Sequence, residues 1–228
     1  DHGSYTGHFE CSSDEGWTSF ESDYRDYIFQ FVEIAAEEGA EMFCIGTELT
    51  KWCLKRPEFW NELIRDIRLM YDGKLVYAAN WDAYKRMPFW SSLDYIGIDA
   101  YFPLCDHKTP SEALCIDGWA PHKKEIKKLS TRYGKPVIFC EWGFRSMDYT
   151  GLEPWKTDPG GGLNLQGQKN AYEATFECFW NESWFHGGFI WKWFGDHDKF
   201  GGSDNNRFTP QNKPAEEVIR RRFMKFSH

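Results

Sequence analysis

The stretch that decides the fold is Pro136 to Gly143, PVIFCEWG. Its apolar residues, Val137 to Phe139, predict a strand that is buried on both faces, and Glu141 follows where that strand should reach solvent. In a (β/α)8 barrel the catalytic side chains lie at the C-terminal ends of the strands. The position of Glu141 therefore indicates a catalytic carboxylate.

A second stretch of the chain is built in the same way. Met42 to Leu49, MFCIGTEL, predicts a strand that runs out through Gly46 and Thr47 into a second carboxylate, Glu48. The interval from Glu48 to Glu141 equals about three βα units of roughly 30 residues each. This spacing fits the ends of the fourth and seventh strands of a barrel.

Two carboxylates at strand ends suit one kind of chemistry. Cleavage of a glycosidic bond needs one carboxylic acid to protonate the leaving oxygen and a second carboxylate to attack the sugar or to activate water. Carboxyl groups about 5 to 5.5 Å apart predict retention of configuration, and a gap of roughly 6.5 to 9.5 Å predicts inversion. The alternative is a structural pair of glutamates, for example in a salt bridge with Arg145, but buried charge adds little stability to a barrel.

Four motifs stand in order and at barrel spacing: IGTEL (Ile45 to Leu49), GIDAYFPL (Gly97 to Leu104), EWGFRS (Glu141 to Ser146) and TPQNKPAE (Thr209 to Glu216). Together they resemble glycoside hydrolase family 113, the β-mannanases of clan A. The resemblance runs from Tyr5 through most of the chain. It implies that Glu48 is the general acid/base and Glu141 the nucleophile of a retaining double displacement. Thr47 stands where the clan commonly has Asn, a feature that family 113 shares.

The resemblance also places substrate-binding residues around the two glutamates. We expect Tyr101 to hydrogen-bond Glu141 and hold it ionised, and Trp191 to form the floor of a sugar subsite at the end of the eighth strand. Three further candidates for sugar contacts, for which packing is an equally good explanation, are Asn80, Trp81 and Trp142.

The predicted elements fill only part of a barrel. Five strands are predicted, which the resemblance identifies as strands four to eight, whereas the family's first three strands would lie upstream of the polar segment Asp1 to Gly16. We expect one catalytic domain over residues 1–228, an α/β fold of the (β/α)8 TIM-barrel type that lacks those three strands. A missing N-terminal segment would complete the barrel. Phe102 to Ala120 is predicted to be irregular, with a helix from Ala120 to Tyr133.

Composition narrows the possible partners. The net charge of −8 argues against nucleic acid and against an anionic membrane surface. The sequence holds no apolar run near 18 residues, so we expect no membrane span. Aromatic residues make up 18% of the chain, with 12 Trp, which suits a cleft that stacks rings on sugars, although packing of helices on a barrel also explains many of them.

Cysteines and other reactive residues suggest no further chemistry. The odd number of cysteines, 7, and the lack of a CxxC pair argue against a disulfide scaffold or a zinc ribbon. Cys44 and Cys140 lie within the two strands and are expected to act as small buried hydrophobes. Asp196, His197 and Asp198 are ligand types, but consecutive residues rarely converge on one metal, so we predict neither a metal nor a cofactor.

The sequence therefore predicts a retaining endo-β-1,4-mannanase that hydrolyses mannan-type polysaccharides and manno-oligosaccharides. Two alternatives stay open: a glycosidase or transglycosylase acting on another β-glycan, and a carbohydrate-binding protein without turnover. A polysaccharide substrate favours a secreted or periplasmic location, whereas free cysteines are compatible with the cytoplasm.

Overall fold

The computed structural model describes residues 5–156 and 160–226. Within them lie the strands β1 Met42–Thr47, β2 Lys74–Asn80, β3 Ile96–Asp99, β4 Val137–Trp142 and β5 Phe185–Ile190. The α-helices are α1 Asp14–Glu37, α2 Thr50–Lys55, α3 Pro57–Ile67, α4 Glu112–Tyr133, α5 Leu165–Phe179 and α6 Pro214–Phe226.

The strands form one five-stranded sheet in the order β1-β2-β3-β4-β5. β1 pairs with β2 in parallel, and β4 pairs with β5 in parallel. Helices separate most of the successive strands, as parallel pairing requires. The five predicted strands are thus present, and the α/β class is confirmed. The three further strands stay a prediction, since they concern chain beyond this sequence.

By its backbone contacts the chain divides into two compact units. The first contains the described residues up to Ile98 together with Tyr133–Pro136. Its core is strongly aromatic: the fully buried ring of Trp52 lies 5.0 Å from Phe59 and 4.8 Å from Trp60, measured between centroids. Many tryptophans of this unit therefore serve packing. A single catalytic domain over the whole chain stays a prediction.

The second unit contains Asp99–Arg132 and the described residues from Val137 onward. Phe139 of β4 packs against α4 and α5, with its ring centroid 6.0 Å from that of Trp119 and 4.9 Å from that of Phe179. Helix α5 also packs on α6. These contacts fix β4, and with it the strand end that carries Glu141.

Helix α4 begins earlier than predicted. It starts at Glu112, inside the stretch that was expected to be irregular, and continues through Pro121. A proline inside a helix removes one backbone hydrogen bond and usually ends the helix. Here buried Trp119 and Ile126 anchor the helix on both sides of Pro121, so tertiary packing outweighs the local preference.

The prediction that Cys44 and Cys140 are buried was wrong. Cys44 is exposed and Cys140 is half-buried. Successive side chains of a strand point to opposite faces, and the neighbours Ile45 and Phe139 are the residues that are fully buried. The described residues leave the face of the two cysteines uncovered or only partly covered.

In the part of the chain that the structure describes, no helix is both long enough and apolar enough to cross a membrane.

Candidate active site

Glu48 follows directly on the last residue of β1. Its backbone is in the left-handed region, with φ 55°, which is uncommon for a residue other than glycine and concentrates at functional sites. Two residues of β2 fix this conformation. The backbone N–H of Glu48 donates to Ala78 O at 2.8 Å, and the backbone N–H of Leu49 donates to Tyr77 Oη at 2.7 Å. The strand end thus holds the carboxylate-bearing residue rigidly.

Tyr5 is a neighbour of Glu48 that the sequence did not indicate. Burial raises the pKa of Tyr5 to about 12, with the Glu48 carboxylate as the second cause, so the phenol stays protonated. Asn80 Nδ2 donates to Tyr5 Oη at 2.8 Å. Tyr5 lies in a polar segment before the first strand, where no local pattern points to a site.

The amide of Asn80 is engaged at both ends. Besides the bond to Tyr5, its Oδ1 accepts from the backbone N–H of Trp81 at 2.8 Å. Asn80 therefore positions its neighbours, and its contact with sugar stays a prediction. Trp81 is half-buried in the turn after β2, and its role in binding also stays a prediction.

Glu141 is the penultimate residue of β4 and is half-buried. Its Oε2 accepts a hydrogen bond from Tyr101 Oη at 2.7 Å, and its backbone oxygen accepts from the N–H of Ala100 at 2.7 Å. The hydrogen bond expected between Tyr101 and Glu141 is thus present. Two residues that follow β3 fix both the backbone and the side chain of Glu141.

Burial and hydrogen bonding act on Glu141 in opposite directions. Burial raises the pKa of its carboxyl group, and the bond from Tyr101 lowers it; the net shift is upward. The pKa of Tyr101 is raised by burial and by the Glu141 charge, with fully buried Asp99 adding to the effect. Tyr101 is therefore the donor in this pair.

Trp191 follows β5 and is 39% exposed. Its backbone N–H donates to Trp142 O at 2.8 Å. A Cβ on Gly143 would lie 2.1 Å from Trp191 O, so the segment after β4 approaches Trp191 this closely only because Gly143 has no side chain. Trp191 lines a pocket of about 420 Å³, which fits a platform for sugar.

Trp142 belongs to the core. It is fully buried, and its ring centroid lies 5.0 Å from that of Tyr172 and 5.3 Å from that of Phe176. A side chain enclosed in this way has no face for a sugar. The structure supports the packing alternative for Trp142, and the proposed sugar contact is withdrawn.

Two buried glutamines hold the loops around the pocket. Gln211 Oε1 accepts from the N–H of Phe194 at 2.7 Å, and its Nε2 donates to Phe194 O at 3.0 Å. Gln168 Nε2 donates to Phe144 O at 2.8 Å and to Phe208 O at 3.1 Å. Sequence reasoning missed both residues, although Gln211 lies within the TPQNKPAE motif.

Lys213, from the same motif, is buried. Its Nζ donates to Ser146 Oγ at 2.9 Å, Asn205 Oδ1 at 3.1 Å and Arg207 O at 2.9 Å. Burial, together with the positive charge of Arg145, lowers the pKa of Lys213 to about 7. The motif thus ties the last loop to the segment after β4.

Among the described residues, no group of three His, Cys, Asp or Glu side chains is arranged to hold a metal ion. His197 and Asp198 interact with each other at 3.4 Å, and His197 Nε2 lies 2.5 Å from Glu216 Oε1.

Comparison with known protein families identifies the family of this chain. The model of Glycoside Hydrolase Family 113 matches residues 6–213. The chain belongs to this family. It is therefore a glycoside hydrolase, and the resemblance inferred from the four motifs is confirmed.

Solved structures agree with the family assignment. A GH113 β-1,4-mannanase determined as a complex is 28% identical with a TM-score of 0.84, over 98% of this chain and 70% of that chain. The GH113 β-mannanase AaManA from Alicyclobacillus acidocaldarius is 27% identical with a TM-score of 0.85, over 99% of this chain and 70% of that chain. These likenesses show the α/β fold of the family's barrel enzymes.

A more distant likeness concerns the fold alone. A β-glucuronidase from Faecalibacterium prausnitzii is 14% identical with a TM-score of 0.66, over 90% of this chain and 35% of that chain. No curated protein matches the sequence.

Proposed function

We propose that the protein is a retaining endo-β-1,4-mannanase that hydrolyses mannan-type polysaccharides and manno-oligosaccharides. The observation that carries the proposal is the likeness of almost the whole chain to two β-mannanases of the same family, at TM-scores of 0.84 and 0.85. The likeness supports mannan as the first substrate to test. Other β-glycans are tested beside it, because substrate specificity usually depends on loops.

In the proposed reaction Glu141 attacks the anomeric carbon, while the carboxylic acid of Glu48 protonates the departing glycosidic oxygen. A covalent glycosyl-enzyme forms and the first product leaves. Glu48, now a carboxylate, takes a proton from water, whose oxygen attacks the same carbon and releases Glu141. The two inversions give net retention.

The surroundings of each glutamate support its role. The bond from Tyr101 stabilises the ionised form of Glu141, as a nucleophile requires. Glu48 lies at a strand end with strained backbone, beside the protonated phenol of Tyr5. A carboxyl separation of about 5 to 5.5 Å stays the expectation for a retaining pair.

We further propose that β1 to β5 correspond to strands four to eight of a (β/α)8 barrel. The first three strands would come from a segment outside this sequence, which is compatible with the coverage of 70% of each mannanase chain.

The test is hydrolysis of β-1,4-mannan, compared with cellulose and xylan, by the wild type and by Glu48→Gln and Glu141→Gln. Glu33→Gln, on the exposed surface of α1, serves as the matched control. We expect mannan to be the preferred substrate, the two site variants to lose about 10²- to 10⁴-fold in kcat, and the control to retain full activity. Preference for cellulose or xylan would assign another β-glycan, and undiminished activity in either variant would refute the assigned role.

A further inference from the structure

The pocket beside Trp191 combines aromatic rings with cations. Trp191 and Phe200 are 39% and 38% exposed and give it an apolar surface. Lys192 and Arg207, both exposed, lie on its wall, and so does buried Arg145. Three cationic side chains around one pocket are unexpected in a chain whose net charge is −8 and whose proposed substrate is neutral.

The two exposed cations have no ion-pair partner within residues 5–156 and 160–226. Lys192 Nζ lies over the rings of Trp191 and Phe194, 5.3 and 5.0 Å from their centroids. Arg207 uses its backbone N–H and C=O in hydrogen bonds, and its guanidinium group contacts no described carboxylate. Both charges are therefore available to a ligand.

Acidic side chains of the same loop are directed elsewhere. Asp196 Oδ2 pairs with Lys199 Nζ at 2.6 Å, and Asp204 Oδ1 accepts from Ser203 Oγ at 3.4 Å. Neither aspartate lines the pocket.

The described lining of the pocket holds Arg145, Lys192 and Arg207 and no acidic side chain. The local potential is therefore positive in a protein that is negative as a whole.

The pocket adjoins the Glu141 site. Phe208 is part of its lining, and the ring centroid of Phe208 lies 6.1 Å from that of Tyr101, which hydrogen-bonds Glu141. A sugar ring held at Trp191 would thus bind next to the nucleophile proposed above.

We propose that this pocket binds a sugar residue that carries an anionic group, a carboxylate or a phosphate, with Arg207 and Lys192 as its counter-charges and Trp191 as its platform. A guanidinium group matches the two oxygens of a carboxylate or phosphate, and an ammonium group adds a point charge. The inference rests on the proposed function and refines it: the substrate is a β-glycan with acidic residues or substituents.

Measuring the binding of sugars directly tests the proposal without catalytic turnover. Calorimetric titration at low salt would compare methyl β-D-mannopyranoside with methyl β-D-mannopyranosiduronate, which differ only at C6, and with methyl β-D-mannopyranoside 6-phosphate. We expect one or both anionic sugars to bind about 10-fold more tightly than the neutral sugar, as one charged hydrogen bond provides. The relative affinity of the two anions identifies the preferred group. The preference should weaken as salt is added.

The variants link the preference to the pocket. Lys192→Gln combined with Arg207→Gln should remove the preference, so that the neutral and the anionic sugars bind with similar affinity, whereas Lys199→Gln, on the same loop but paired with Asp196, should keep it. Equal affinity of the wild type for all three sugars, or a preference that survives the double variant, would overturn the proposal. A protein that prefers anionic sugars but leaves mannan intact would instead overturn the mannanase assignment alone.

Discussion

At the scale of single residues, the ionisation of Glu141 depends on a balance between burial and one hydrogen bond. Burial favours the neutral acid, and the bond of 2.7 Å from Tyr101 favours the carboxylate. A nucleophile must be ionised, so the acidic limb of the pH–activity profile should report this balance.

Tyr101→Phe removes the bond that lowers the pKa of Glu141 and leaves the burial in place. The pKa rises, Glu141 is protonated at a higher pH, and the acidic limb of kcat/KM moves towards higher pH. Because a hydrogen bond to a charged group contributes roughly 1.5 to 3 kcal/mol, kcat/KM at the optimum should fall about 10- to 100-fold. Tyr149→Phe, an exposed tyrosine, is the control. An unmoved or lowered acidic limb would contradict this account.

Lys213 makes the free energy of unfolding depend on pH in the alkaline range. Its pKa is about 7 in the fold against 10.5 for an ordinary lysine, so between these values the unfolded chain binds a proton that the folded chain does not. Stability contributed by this group therefore rises as pH increases from 7 to 10.5. In denaturant titrations, the free energy of unfolding of the wild type should rise relative to that of Lys213→Met over this range. A constant difference between the two would contradict the assigned pKa.

At the scale of elements, the loop between Phe194 and Lys213 is held by backbone as well as side-chain contacts. Gly201 and Gly202 both have left-handed backbone, with φ 82° and 88°. A Cβ on Gly201 would lie 1.7 Å from Gln211 O, whereas a Cβ on Gly202 would meet nothing within 4 Å. The close approach at Gly201 fixes where the TPQNKPAE motif runs.

The two glycines form a matched pair of variants. Gly202→Ala should cost only the strain of a left-handed residue, about 1 to 2 kcal/mol. Gly201→Ala adds a backbone collision and should cost about 1 to 3 kcal/mol more, because packed backbone must move. Thermal or denaturant unfolding measures both costs. Equal losses of stability would mean that the Gly201 contact does not constrain the loop.

Local patterns revealed the strands and both glutamates, since buried apolar runs that end in a carboxylate are readable in a single sequence. Patterns could not reveal Tyr5, Gln168 or Lys213 as positioning groups, because their contacts join segments far apart in the chain. They also wrongly predicted a buried Cys44, since a short apolar run does not state whether both faces of its strand are covered. The sequence did not predict the start of α4, because a helix usually ends at a proline and α4 continues through Pro121.

At the scale of the whole molecule, an acidic chain carries a locally positive pocket and, at the ends of β1 and β4, the carboxylates of Glu48 and Glu141. Membership of family 113 makes it a glycoside hydrolase, and the likeness to β-mannanases supports the substrate. The central claim is that Glu141 forms a covalent bond with the sugar and that Glu48 transfers the protons.

The most direct test is the configuration of the product when azide replaces each missing carboxylate, using a β-mannoside with a good leaving group. With Glu141→Ala, azide attacks once from the open face, so restored turnover should give the α-mannosyl azide. With Glu48→Ala, the intermediate on Glu141 still forms and azide attacks it, so two inversions should give the β-mannosyl azide. The reverse assignment of products, or no mannosyl azide from either variant, would contradict the retaining mechanism with Glu141 as nucleophile.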